Sequence, residues 1–433
     1  MVDFVQVWNW YSREQVRKAL LQFAKNREVV SVFSDGSYGK RPDVIMYDGD
    51  ILQAIAEGTV AFHCSVERWE NPIKLDVGMK KEDLDNLRIG WDVIIDIDVK
   101  DFDIAKLCAK KFIEALKDHN LKNISIKFTG GKSFHIGIPF ESFPEKVNGI
   151  PTSKLYPELQ EKIIEYLKFY IADELREELL SNWSISEISQ KSGKSIEEIT
   201  ANEILDPFKV INIDIFSSRH LFRMPYSLNE NTLLVSLPIK IDRLERFEKE
   251  DASIKNAKVE EIFLKVVEKE DATMLVIEAL DWWSKNKIKI EEPISQKVKL
   301  KKIEKGKKIP DAFFPPCIKR ILDGLSDGRK RAIFILVTFL RNMNWDLEDI
   351  EKTIMEWNER NKPPLRPNYL KTQLRWHFRQ DRNLLPPNCD NKIFYEDMGL
   401  KKECEECVKM GVKNPVNYPF KFLKIMKKKK KRK

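Results

Sequence analysis

No single hydrophobic core can run the length of this chain, because Ile288–Lys308 interrupts it. That stretch is rich in Lys and Glu, aperiodic and poor in apolar residues, which is the composition of a linker. The regions on either side must each bury their own apolar surface. With 433 residues there is enough chain for both, and an apolar fraction of 42% supplies the cores. The sequence therefore divides into a region over 1–287, a linker over 288–308, a second region over 309–420 and a tail over 421–433. The tail ends in the like-charge run Lys427–Lys433 and reads as unstructured.

Net charge is +8, with the excess concentrated in the linker and the tail, which fits a polyanionic partner. Met1-Val2-Asp3-Phe4 lacks a basic head followed by an apolar run, and no apolar stretch is long enough to span a bilayer. A cytoplasmic protein with no membrane partner is expected. In that compartment the six cysteines argue for metal binding or burial over disulfides.

Hydrophobic periodicity predicts helices over Ser12–Lys25, Asp50–Glu57 and Ile104–His119, a charged helical region over 154–200, and helix through most of 259–286. Strands are predicted at Val30–Phe33, Ile89–Val99 and Val210–Asp214, with a hairpin of Ile124–Phe128 and Phe134–Ile138 around a glycine turn. Beyond the linker, helices are expected over Asp327–Asn344 and Leu347–Glu359.

Ile89–Val99 is the clearest strand and carries the chemistry. Side chains alternate along a strand, so Asp96 and Asp98 point together from its C-terminal end, about 7 Å apart at Cα. Two carboxylates that close repel, and a divalent cation preferring oxygen ligands would relieve the repulsion. Read alone, the pair is far more often an acidic strand end in solvent. Downstream, Thr129-Gly130-Gly131-Lys132-Ser133-Phe134-His135 offers glycines for a tight turn and donors for phosphate oxygens. Asp214 ends another β-branched run, and Arg223 and Asn229 flank a proline turn.

These three blocks, in this order, resemble the catalytic small subunit of archaeal and eukaryotic DNA primases over roughly Arg13 to Trp283. The resemblance implies an α+β primase catalytic domain, RRM-like, with a helical insertion. It also implies that Asp96, Asp98 and Asp214 hold two Mg²⁺ or Mn²⁺ ions and are the catalytic residues. Thr129, Lys132, Ser133 and His135 would hold the phosphates of the incoming nucleotide, with Arg223, Asn229 and the upstream Arg41 contacting the same nucleotide. The chain departs from the family pattern at Gly131, where a basic residue is usual, and at Asn229, where a His is common. It also lacks the zinc knuckle that many members carry after the Asp-x-Asp strand. Cys108 and His119 are too few for a zinc site, and Cys64 and Cys108 read as buried packing residues.

The other four cysteines, Cys317, Cys389, Cys404 and Cys407, fall in the second region. Cys404-Glu405-Glu406-Cys407 lets two thiolates chelate one centre, and Pro315-Pro316 and Pro386-Pro387 stiffen the turns before Cys317 and Cys389. Four thiolates suit zinc or a [4Fe–4S] cluster, and spacing does not choose between them. Ile309–Tyr418 resembles the mostly helical C-terminal iron–sulfur domain of the primase large subunit, through Phe313–Cys317, the helix after Asp327-Gly328-Arg329, Leu385–Cys389 and Lys413–Tyr418. That resemblance favours [4Fe–4S] over zinc. It implies that Arg329, Lys330, Arg331, Trp376 and Arg379 grip the initiating triphosphate and the template. The chain then reads as a small-subunit catalytic module joined to the large subunit's cluster domain. Its implied substrates and partners are a single-stranded DNA template, nucleoside triphosphates and an RNA or DNA primer. A monomer is expected, working beside other replication proteins. A primase-type polymerase that extends existing ends, and a non-catalytic nucleic-acid-binding protein with a structural metal, are the alternative readings.

Overall fold

The computed structural model describes residues 3–201, 204–287, 308–378, 384–396 and 398–423. Residues 288–307 of the Lys-rich stretch, Arg379, and residues 424–433 of the tail lie outside the described residues. The chain divides into two compact units, Met1–Glu292 and Pro293–Lys433. Among the described residues no helix is long and apolar enough to cross a membrane.

In the first unit β1 (Val29–Val32) and β2 (Ala61–Ser65) precede β3 (Val93–Asp98). Helix α1 (Phe102–Asp118) leads to the hairpin of β4 (Ser125–Phe128) and β5 (Phe134–Ile138), and α2 (Glu158–Asn182) follows. The chain then returns through β6 (Asn212–Asp214), β7 (Leu221–Arg223) and β8 (Pro238–Ile239), and α3 (Thr273–Lys287) closes the unit. A five-stranded antiparallel sheet has the order β6-β3-β5-β4-β8, and a smaller one the order β1-β2-β7. Because β5 is antiparallel to both its neighbours, β3 and β4 run parallel, with α1 as the crossover between them. This is a split β-α-β arrangement. Its α1 is held by an Asp101 N-cap, whose side chain accepts from the amides of Asp103 and Ile104. The buried stripe Ile104, Ala105, Cys108, Ala109, Phe112 and Leu116 faces the protein interior, and α1 packs against β3, β5 and α2.

The predicted strand Ile89–Val99 is two strands in two sheets. Arg88–Trp91 pairs with Glu67–Trp69, while Val93–Asp98 joins the large sheet. The break falls at Asp92, whose fully buried carboxylate is paired with both Arg27 and Arg68 and accepts the Phe140 amide at 2.9 Å. Burial pushes this carboxyl up, and the two guanidinium groups more than offset it, so the net shift is downward. Its stabilising share is present above the ordinary carboxylate range and is lost as pH falls through the depressed value. Asp92→Asn leaves Arg27 buried without its counter-charge and should cost about 3–5 kcal/mol. Denaturant unfolding of the full chain would read this, and an unchanged midpoint would count against it.

A second correction concerns residues 259–286, predicted as mostly helix. Helix starts only at Thr273, and the preceding stretch is a loop fastened to the sheet. The Leu264 amide donates to Ser125 Oγ at 2.9 Å, and those of Val267 and Glu268 donate to Asn123 Oδ1 at 2.6 and 3.0 Å. These tertiary bonds outweigh the local helix preference. The remaining predicted strands and helices are present, with ends shifted by a few residues.

The second unit is mostly helical. It holds α4 (Pro316–Leu322), α5 (Arg329–Asn342), α6 (Leu347–Glu359), α7 (Pro367–Phe378) and α8 (Lys401–Lys409). Its core forms around the buried face of α5, from Ala332 to Leu340, and α6 contributes Ile350, Ile354 and Trp357.

Candidate active site

Register across the large sheet decides which side chains meet. Asp214 on β6 lies opposite Asp96 on β3, which lies opposite His135 on β5, which lies opposite Lys127 on β4. Directly paired residues project from the same face of a sheet, so these four form one row across four strands. Asp98 shares that face two residues along β3. The three carboxylates predicted as metal ligands are thus brought together on adjacent strands.

His135 is buried, and its Nε2 lies 3.1 Å from Asp96 Oδ1. Lys132 Nζ lies 3.0 Å from Asp98 Oδ1, with both side chains half-exposed. Burial raises the Asp96 carboxyl, but His135 and then Lys127 lower it further, for a net downward shift. Asp214 goes the other way, pushed up by burial and by the charges of Asp96 and Asp98. Asp96 has the close cationic partner and Asp214 does not, so the two carboxyls move in opposite directions.

A cleft of about 290 Å³ is lined by Asp214, Asp96, Asp98 and His135, and also by His63, Thr129, Lys132, Arg223 and Asn229. Thr129 and Ser133 shape the turn. Ser133 donates its hydroxyl to the Ile97 carbonyl, and Thr129 Oγ1 donates to the Ser133 carbonyl at 3.1 Å. Gly130 has φ +83°, and a Cβ there would stand 2.8 Å from the Leu234 carbonyl oxygen, so both conformation and space call for glycine. Asn229 Oδ1 accepts the amides of Asn231 and Thr232, which builds the facing turn. Arg223 is paired with Glu230 at 2.5 Å and donates to the Leu228 carbonyl at 2.9 Å. Arg41 is not part of the cleft lining. It forks onto Glu28 at 2.9 and 3.1 Å and donates to the Arg219 carbonyl at 2.8 Å.

Sequence reasoning gave no role to Lys127 or His63. Lys127 is fully buried, donates to Ser236 Oγ at 2.8 Å and lies over the rings of Phe222 and Phe263. Burial lowers its ammonium to about 7, and Arg223 adds to the effect. The signal was its position two residues before Thr129 on a strand, which puts it on the ligand-bearing face. A larger hollow of about 690 Å³ lies beside α1, β4 and β8. It is mixed in charge, with Lys110 tied to Glu245 and Lys240 facing Glu261, and it lacks the carboxylate row.

In the second unit the four cysteines are buried and converge. Cys404 and Cys407 lie three apart on α8, Cys317 is on α4 packed against it, and Cys389 follows its proline turn. The Cys317 thiol is within hydrogen-bonding reach of Cys404 and Cys407, and the Cys389 thiol of Cys407. Hydrogen bonds from Cys317 and Cys389 hold Cys407 well below the ordinary thiol range. Asn414 fastens the proline turn by donating to the Pro386 carbonyl at 2.8 Å, and Tyr395 donates to that of Pro387 at 3.0 Å. Among the described residues no group of three or more His, Cys, Asp or Glu is placed so as to hold a metal ion. The donor types nonetheless fit, with oxygen ligands for Mg²⁺ or Mn²⁺ on the sheet and four thiols for zinc or iron–sulfur on the helices.

Arg329, Lys330 and Arg331 occupy the first turn of α5, and Lys330 lies over the Tyr369 ring at 4.7 Å. Cations at a helix N-terminus work against the helix dipole, and a bound anion would reverse that balance. Trp376 belongs to α7.

No family profile matches the chain. Over 211 residues, 48% of this chain, it is 27% identical to an uncharacterised protein of Methanocaldococcus jannaschii, covering 41% of that protein. Over 158 residues, 35% of this chain, it is 28% identical to the DNA primase large subunit PriL of Methanopyrus kandleri, covering 36% of that protein. The chain thus spans less than half the length of these curated relatives. Among solved structures, the polymerase domain of Mycobacterium tuberculosis Ligase D in complex with DNA overlays with a TM-score of 0.34 at 12% identity, covering 67% of this chain and 93% of that one.

Proposed function

We propose that this chain is a primase: it joins nucleoside triphosphates de novo on a single-stranded DNA template and extends the product. The observation that carries the reading is the set Asp96, Asp98 and Asp214 on two adjacent strands, facing the cationic turn at Lys132. Asp96, Asp98 and Asp214 would hold Mg²⁺ or Mn²⁺. Two such ions activate an attacking hydroxyl and balance charge on a triphosphate. His135 orients the Asp96 carboxylate through their 3.1 Å contact. Lys132 and the amides of the glycine turn receive the phosphates of the elongating nucleotide, with Arg223 also in the lining of the cleft.

The similarity of part of the chain to a primase large subunit supports a role in the same process, and we assign the second unit its share of it. There Cys317, Cys389, Cys404 and Cys407 would hold a [4Fe–4S] cluster, which ties α4, α8 and the Cys389 turn together when bound. Arg329, Lys330 and Arg331 would receive the initiating 5′ triphosphate, with Trp376 and Arg379 on the template. Nothing in this reading calls for a membrane, and we place the protein in the cytoplasm.

The test is synthesis by the full chain on single-stranded DNA with Mg²⁺ or Mn²⁺ and no primer. Labelled oligomers carrying a 5′ triphosphate are the expected product. Extension of supplied ends without any primer-free product would move the assignment to an end-extending polymerase.

A further inference from the structure

His63 on β2 lies opposite Arg223 on β7 and lines the same cleft as Asp96 and His135. Its Nδ1 is 3.0 Å from the hydroxyl of Tyr38, whose ring packs edge-on against the imidazole at 5.4 Å. Its Nε2 is buried and, among the described residues, has no hydrogen-bond partner, while the residue lines the cleft. A buried polar atom without a partner is costly, and such atoms in native proteins usually await a ligand or water. The two nitrogens are set apart by Tyr38. A phenol hydroxyl donating to an imidazole lone pair is the stronger of the two possible directions, so Nδ1 accepts and Nε2 carries the proton. The charges bearing on His63 are those of Arg223, Lys127, His135 and His220, all from cationic residue types, and with burial they keep its ring neutral. A donor beside Arg223 suits an anionic oxygen, and a cation on Asp96, Asp98 and Asp214 in the same cleft would bring a phosphate to it.

We infer that His63, oriented by Tyr38, is a further ligand-binding residue of the cleft, donating from Nε2 to a phosphate oxygen of the bound nucleotide. Tyr38 is a positioning residue in this arrangement. It sits half-exposed beyond the turn at Gly36 and reaches the cleft only through His63. The inference rests on the reading of the cleft as a nucleotide site.

Inorganic tripolyphosphate with Mg²⁺ is the probe, titrated calorimetrically into the full chain. His63→Ala should weaken binding about tenfold, the loss of one hydrogen bond to a charged group. His63→Gln restores a side-chain N–H and should recover most of that loss. Tyr38→Phe keeps the ring, removes only the hydroxyl that meets His63 Nδ1 and should weaken binding roughly threefold. Tripolyphosphate bound equally by wild type and His63→Ala, or bound by neither, overturns the inference. So does an unchanged affinity in a folded Tyr38→Phe, even if His63→Ala fails to fold. Binding that follows the expected order without any nucleotidyl transfer leaves the inference standing and removes the primase reading. Primer synthesis with no effect of either substitution on binding removes the inference alone.

Discussion

Asp96→Asn is expected to lower nucleotidyl transfer by roughly 10³-fold or more while leaving single-stranded DNA binding intact. The magnitude follows from losing several kcal/mol of metal-dependent charge stabilisation, where about 4 kcal/mol corresponds to about 10³ in rate. Asp214→Asn should have an effect of the same order on transfer and the opposite sign on stability. Burial and the charges of Asp96 and Asp98 raise the Asp214 carboxyl in the folded chain. A raised acid opposes folding increasingly as pH rises through that value, so its removal should raise the metal-free Tm at neutral pH. Added Mn²⁺ should stabilise the wild type by mass action, about 2.7 kcal/mol at a hundred times Kd, and should do little for either variant. Thermal melts with and without Mn²⁺, beside a single-turnover assay, check all of this. A wild-type melt indifferent to Mn²⁺ up to tens of millimolar would show that the carboxylates are only a strand end.

Cys407→Ser carries the other large expected effect. Cys407 is fully buried and is the thiol toward which both Cys317 and Cys389 turn. Metal bound by four thiolates contributes about 10–16 kcal/mol in small structural zinc sites, comparable to the whole stability of a typical domain. The substitution should therefore unfold the second unit at ordinary temperature, with loss of iron, labile sulfide and visible absorbance from anaerobically purified protein. Extension of a supplied primer should survive and primer-free initiation should not. If the cysteines were only core residues, the same change would cost no more than an ordinary buried substitution, about 1–3 kcal/mol. Zinc without sulfide in the wild type would replace the cluster and keep the fold prediction.

How far the sequence could be read follows from which interactions are local. Asp96 and Asp98 share a face because strand alternation is a property of neighbouring residues, and the glycine turn declares itself in the same way. The division at the Lys-rich stretch rests on composition, which no distant contact alters. Where reading failed, long-range partners decided the outcome. Asp92 ends one strand and begins another because Arg27 and Arg68 come to it from elsewhere in the fold. Residues 259–272 stay out of helix because Asn123 and Ser125 take their amides. His63 and Lys127 were passed over because a lone His or Lys in an apolar strand is ordinary until register shows what stands opposite. Family resemblance was needed to group Asp214 with the other carboxylates, since β6 and β3 are far apart in sequence.

That separation has a kinetic consequence. β6 contributes only three residues, at the edge of the large sheet, and arrives after the long excursion through α2. Loop-closure entropy must be met before such a contact gives any return, so the third carboxylate joins late in folding. A nascent chain that has made β3, α1 and the hairpin carries two acidic groups and no complete site. Short edge strands also open first in the folded state. Fraying of β6 would then part Asp214 from Asp96 and Asp98 and leave the carboxylate set incomplete.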